Sequence, residues 1–510
     1  MKTILEYFEQ TEKKYAHCTA VEDMDGTMTW AQLGRLSRQM GTAFARQGER
    51  GKPVVILAEK SRTVLAAMLG TVYAGNFYVM ADPFQPAARI KEILGVLEPE
   101  LVVTEKKYTD LLIQTDFSKK TYFLEDAHKE TIQEELLGEV RSQSKGKDLL
   151  YGIFTSGSTG TPKGIVVSQK AAADFVSHFV ETFGFTQKDR IGNQAPFDFD
   201  VSVKDIYTCI MTGATLVIIP RKLFTSPSLL LDYLCEKEVT VLIWAVSALT
   251  LVSSLKGLRY RIPHKVKKIL FSGEVMPVRQ LALWMEALPQ AEFVNLYGPT
   301  EITCNCTYYR IGKAFDQKGK LPIGKPFPGR KVFLLDEQGR EILDLQKTGE
   351  ICVAGESLAE GYYRNPEETE KRFIEYSFRE GDKQRCYCTG DLGYWGEEGD
   401  LYFSGRKDFQ VKHMGHRIEL EEIERTLEQV HGLERSCCIM DNRRNQLAAF
   451  YLGEALPGEI RKELKKKLPV YMIPHRLTRV SRMPLNKNGK TDRRYFRMLL
   501  EEGSLCTQKN

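Results

Sequence analysis

The chain has 510 residues, 42% hydrophobic and 27% charged, and its 72 lysines and arginines nearly balance 67 acidic residues for a net charge of +5. That length exceeds one ordinary core and implies two to four domains of a soluble globular class. No long basic stripe with interleaved aromatics is present, which excludes a nucleic-acid binder.

Taken in chain order, the opening MKTILEYFEQTEKKYAH holds no uninterrupted apolar stretch, so no signal peptide is expected. SRTVLAAMLGTVYAG (61–75) reads as an amphipathic helix ending at Gly75, followed by the strand NFYVM and a turn at Asp82-Pro83. The run APFDFDVSVKDIY (195–207) reads as β-prone, with Asp198 and Asp200 on one strand face. ATLVIIP (214–220), VTVLIWAV (239–246) and VKKILFSG (266–273) are short β-rich runs of the kind found in buried parallel sheets.

From Lys347 the texture changes to short strands and glycine turns, GEICVAG, RCYCTGD and GDLYFSG, which suggests a smaller β-rich subdomain. The charged crossover GRKDFQVKHMG then leads into a last segment with its own helix, strand and helix pattern. EIRKELKKKL (459–468) in that segment reads as the solvated face of an amphipathic helix. The expected architecture is α/β: an N-terminal domain over residues 1–407, with two α/β layered subdomains and the β-rich one, then a small mobile α+β domain over residues 408–510. No apolar run approaches the ~20 residues of a membrane span. The eleven cysteines, an odd number without a C-x-x-C pair, read as reduced thiols, with Cys304/Cys306 and Cys386/Cys388 each on one face of a strand. A cytoplasmic, monomeric enzyme is the expectation.

The chemistry concentrates first in TSGSTGTPKG (155–164), which follows the apolar run LLYGIF. Glycines let a backbone approach a polyphosphate, hydroxyls add donors, and Lys163 adds charge. It is not the G-x-x-x-x-G-K-[ST] loop, because Pro162 precedes the lysine and Gly164 follows it. This string resembles the signature loop of the AMP-forming adenylation superfamily, which includes acyl- and aryl-CoA synthetases, luciferases and amino-acid adenylation enzymes. The other motifs occur in that family's order: NLYGPTE (295–301), GEICVAGESLAEGYYRNPEET (349–369), YCTGD (387–391), GRKDFQVKHMGHRIELEEIE (405–424) and NGKTDRR (488–494).

The resemblance implies attack of a carboxylate on the α-phosphate of ATP, giving an acyl-adenylate and pyrophosphate. It assigns Thr155, Ser156, Gly157, Ser158, Thr159, Gly160 and Lys163 to the phosphates, Glu301 to Mg2+ and Thr300 to the α-phosphate. Tyr297 and Asn295 would receive adenine, Asp391 and Arg406 the ribose, with Gly273, Glu274 and Gly298 beside the nucleotide. Lys490 corresponds to the family's catalytic lysine, bridging substrate carboxylate and phosphate. Asp408 corresponds to a hinge that swings the last domain, withdrawing Lys490 and bringing His413–Glu419 to line a thiol tunnel.

Within APFDFDVSVKDIY, the resemblance makes Asp200 the partner of a substrate α-ammonium, which points to amino-acid activation. The side-chain pocket is then Val201, Lys204, Ser272, Leu296, Cys304 and Asn305. The whole looks most similar to D-alanine–carrier protein ligases, but those commonly carry Met where Lys204 stands and Cys where Ser272 stands. Lys204 either points inward, toward an acidic substrate side chain, or snorkels outward; Asp198 is one possible partner for it. Another amino acid adenylation enzyme, acting on an acidic residue for example, or an acyl-CoA synthetase are the alternatives. About 20 residues follow Lys490, so the acceptor is expected to be the phosphopantetheine of a carrier protein supplied in trans.

Overall fold

The computed structural model describes residues 2–157, 162–312, 319–378, 381–441, 443–485 and 491–501. Two large sheets dominate. In the first, of nine strands, Arg190–Asn193, Thr215–Ile218, Val241–Ala245, Lys268–Ser272 and Glu292–Tyr297 run parallel. Their interiors are β-branched and aromatic, buried on both faces, as helices covering a parallel sheet require. Because they are parallel, Asn193, Ala245, Ser272 and Tyr297 all finish at one edge. In open α/β sheets that carboxyl edge is where ligands gather.

The second sheet has seven strands, including Pro53–Leu57, Phe77–Ala81, Leu149–Thr155 and Lys163–Ser168. Leu149–Thr155 and Lys163–Ser168 pair antiparallel, so the two ends of the glycine-rich segment, Thr155 and Lys163, lie opposite each other on adjacent strands. A five-stranded sheet follows, with Gly349–Gly355, Lys383–Trp395 and Leu401–Arg406 among its strands. The hairpin Gln410–His413/His416–Glu419, the helix Leu420–Glu428 and a three-stranded sheet then form a smaller α+β unit with its own core of Ile418, Ile423, Leu427, Leu447 and Tyr451. The helix Pro457–Lys467 buries Ile460 and Leu464 there and turns its lysines outward, as its spacing implies. Among the described residues no helix is long and apolar enough to cross a membrane.

Three local expectations are corrected. The helix Arg62–Tyr73 is not amphipathic: Val64 through Tyr73 are all buried. It lies so close to helix Trp30–Ala45 that a Cβ on Gly70 would meet Met40 Cβ at 2.9 Å. Residues 195–207 are not a strand. The chain turns at Pro196–Asp200 and enters the helix Val201–Thr212, whose buried Val203, Ile206, Tyr207 and Ile210 recur at i, i+3, i+4 and i+7. Cys304 sits in a left-handed loop conformation before strand Thr307–Arg310, so it shares no strand face with Cys306. Cys386 and Cys388 do lie on one strand.

Candidate active site

The carboxyl edge of the nine-stranded sheet brings four segments together. Asp200, at the entry to helix Val201–Thr212, is buried and accepts a 2.7 Å hydrogen bond from Thr300 Oγ1. Burial raises its pKa, while the Thr300 bond and the nearby Lys204 and Lys412 ammoniums pull it back. Thr300 begins a loop that doubles back after strand Glu292–Tyr297: Cys306 N–H donates to Tyr297 O at 2.8 Å. A Cβ on Gly298 would fall 2.5 Å from Asn305 Cα, so only glycine permits the fold-back. Thr303 and Cys304 take φ of 54° and 76°, a non-glycine strain of order 1–3 kcal/mol each. Thr303 Oγ1 donates to Ser357 O at 2.7 Å and Cys304 Sγ to Asp200 O at 3.2 Å, which hold the loop in place.

Lys204 points inward. It is 1% exposed, and its Nζ donates to Ser272 Oγ and Asn305 Oδ1, each at 3.0 Å. Burial lowers its pKa. Val201, Leu296 and Cys304 are buried as well. Asp198 is not its partner, because the turn separates Asp198 from Asp200. Asp198 instead accepts from Gln85 Nε2 at 3.3 Å, and burial together with Asp82 pushes it up to about 7.

Toward the five-stranded sheet, Tyr297 OH donates to Asp391 Oδ2 at 2.6 Å and Arg406 pairs with the other oxygen of Asp391. The same guanidinium forks onto Asp408 at 2.6 and 2.9 Å, which ties the carboxylate expected to hold ribose to the residue expected to be the hinge. Asn295 Nδ2 donates to Pro322 O at 2.7 Å.

The α+β unit closes the other side. Ser156 Oγ donates to Arg417 O at 2.8 Å and accepts from Glu419 N at 3.0 Å, and Gly157 N–H donates to Glu422 Oε2 at 3.2 Å. Glu422 is paired in turn with buried Arg89 at 2.8 Å. Lys163 pairs with Glu368 at 2.9 Å. Ser158, Thr159, Gly160 and Lys490 lie outside the described residues. Glu301 is buried and receives Arg417 Nη1 on both oxygens, at 2.8 and 2.9 Å, with Tyr362 OH at 2.7 Å. Burial pushes Glu301 up, but Arg417 and Tyr362 outweigh it and hold the carboxyl below its ordinary range. At the hairpin tip, Gly415 N–H donates to Glu274 Oε1 at 2.6 Å, and the Cα of Gly415 (φ 82°) faces Phe199 and Ala245 closely. Gly273, at φ 100°, turns the chain between Ser272 and Glu274.

Arg417, Tyr362, Glu368 and the Arg89–Glu422 pair were missed as individual residues. Arg417 lies inside the HMGHRIELEEIE string, between His416 and Ile418, and nothing in that spacing marks it as the partner of Glu301.

Residues 8–363 match the sequence profile described as AMP-binding enzyme. The chain belongs to the AMP-binding enzyme family. Tyrocidine synthase 1 of Brevibacillus parabrevis is 31% identical over 97% of this chain, and bacitracin synthase 1 of Bacillus licheniformis is 33% identical over 97%. This AMP-binding enzyme spans only 44% and 9% of those two proteins. The D-alanine–D-alanyl carrier protein ligase of Listeria monocytogenes is 29% identical, covering 96% of this chain and 98% of its own length. Among solved structures, the Vibrio cholerae adenylation domain AlmE, in complex with glycyl-adenosine-5'-phosphate, superposes with a TM-score of 0.85 over 98% of both chains at 22% identity. That likeness concerns the fold.

Proposed function

We propose that this AMP-binding enzyme condenses the carboxylate of an amino acid with ATP, releasing pyrophosphate, and passes the aminoacyl-adenylate to the phosphopantetheine thiol of a separate carrier protein. The observation that carries this reading is Asp200. It is a buried carboxylate at the sheet's carboxyl edge whose side chain meets a hydroxyl and no ion-pair partner among the described residues. Such a group is costly unless a cation arrives, and an α-ammonium is that cation. A fatty or aryl acid would leave it unpaired.

ATP phosphates are the natural ligand of the hydroxyl and amide donors between Thr155 and Lys163, and Asp391 of the ribose hydroxyls. A buried carboxylate suits Mg2+ once Arg417 leaves its two oxygens, so Glu301 fits a metal ligand. When bound, Mg2+ would neutralise phosphate charge. Among the described residues no three acidic, histidine or cysteine side chains cluster as a metal site. Arg417 occupies both Glu301 oxygens in this arrangement, so adenylation requires the hairpin to withdraw. We propose residues 1–407 and 408–510 as the two moving bodies, Asp408 as the hinge, and Lys490 as the lysine delivered for the first step. The arrangement with Gly415 seated beside Phe199 is then the one suited to thiol transfer.

The test is pyrophosphate exchange across D- and L-amino acids and across fatty and aryl acids. Amino-acid-dependent exchange is expected. Exchange with fatty or aryl acids alone would refute amino-acid activation.

A further inference from the structure

Asp200 and Lys204 stand four residues apart at the start of one helix, the spacing at which an acid followed by a base ordinarily closes into a pair. Here no ion pair within 4 Å joins them. Each is held by a different neutral partner: Asp200 by Thr300 Oγ1, Lys204 by Ser272 Oγ and Asn305 Oδ1. A lysine stem usually carries its ammonium to water, yet this one is enclosed. Two of its three N–H donors are used, both on uncharged oxygens. The next carboxylate along, Asp205, accepts from Asn193 Nδ2 at 2.7 Å through one oxygen while the other has no hydrogen-bond partner, and no ion pair within 4 Å joins it to Lys204. Two buried side chains of opposite charge, each lacking a charged partner within 4 Å, are costly to keep ionised until a ligand supplies both complements.

Resting on the reading that the enzyme activates an amino acid, we infer that its substrate carries a side-chain carboxylate, with Lys204 as the counter-ion of that group and Asp200 as that of the α-ammonium. Ser272 contributes a hydroxyl that can turn to donate to the same carboxylate. A methyl side chain would leave the ammonium facing carbon, and a basic one would be repelled. Burial moves Asp200 and Lys204 each toward its neutral form, and a doubly complementary substrate restores both charges.

Isosteric pairs separate charge from shape and need no variant. Pyrophosphate exchange is measured with aspartate against asparagine and glutamate against glutamine, both enantiomers, with alanine and glycine alongside. One acid is expected to exceed its amide in kcat/KM by about 100-fold or more, the range seen when a site is left with a buried group unpaired. Lys204→Met is expected to reduce that ratio to near one, and Lys204→Gln to favour the amide. Exchange with neutral amino acids and no preference for an acid over its amide would overturn the acidic assignment while amino-acid activation stands. Exchange with no amino acid would overturn both.

Discussion

Asp200 is asked to be an anion in a place that disfavours anions, and that tension gives a measurable trade-off. Asp200→Asn keeps the shape and an oxygen for Thr300 but removes the charge. Amino-acid-dependent exchange is expected to fall by about 100-fold or more in kcat/KM, the scale of a buried charge partner lost. Stability should move the other way. Because burial raises the folded pKa of Asp200, the folded state holds the proton more tightly, and the ionised group lowers stability once pH rises above the ordinary carboxylate value near 4. The Tm gain of the Asn variant should therefore be present at neutral pH and vanish on acidification below about 4. Calorimetry at both pH values checks it, and a neutral-pH loss of Tm would contradict the assignment. Both residues of the pocket that carry charge were legible in the sequence, since three aspartates and a lysine in an apolar run demand partners. Which of them meet was not. Pairing Asp198 with Lys204 assumed a strand, and a single turn at Pro196–Asp200 moved Asp198 to Gln85.

At the scale of elements, the misreading of residues 195–207 has a physical cause. Phe197, Phe199, Val201 and Val203 alternate as a strand would, and only the later Ile206, Tyr207 and Ile210 reveal the helical period that tertiary packing enforces. The loop after Tyr297 shows the opposite: NLYGPTE was read as a unit, and its glycine is explained by contact rather than by turn chemistry alone. Gly298→Ala must displace the Asn305 backbone, which lies 2.5 Å from the added carbon. A destabilisation of about 1–3 kcal/mol is expected from that overpacking, together with weaker substrate binding because Asn305 holds Lys204. Urea unfolding and KM together test it, and an unchanged midpoint would mean that the loop yields freely. In the hairpin, Arg417 is the counter-ion of Glu301. Arg417→Ala leaves burial to push the Glu301 carboxyl up, so the variant should lose stability as pH rises above about 4, whereas the wild-type contribution is present above pH ~4 and lost only at lower pH. The wild-type sign follows from a depressed folded pKa. Thermal melts across acid pH report the shift.

For the whole molecule, motif order revealed the layered α/β body, the β-rich sheet and the separate α+β unit. It could not reveal how the last unit docks, because that depends on contacts between residues more than a hundred positions apart: Ser156 with Glu419, Gly157 with Glu422, Glu301 with Arg417. All three engage the segments expected to bind phosphate and metal, so the docked hairpin and a loaded phosphate site compete for the same donors and carboxylate. We propose that two arrangements alternate on this account, with the chain between Arg406 and Gln410 as the turning point. Asp408→Pro fixes one backbone angle there and deletes an N–H, while Asp408→Ala removes the same carboxylate, and so the Arg406 fork, without stiffening the chain. If rotation matters, transfer to carrier thiol should fall at least about tenfold further in the Pro variant than in the Ala variant, the size of effect expected when a hinge, not a contact, is blocked. Pyrophosphate exchange should separate the two variants much less, since it proceeds within the adenylating arrangement alone, whereas transfer needs the turn back to the arrangement seen here. Equal transfer rates in Pro and Ala variants would assign Asp408 to its ion pair with Arg406 alone and leave the swing to some other residue.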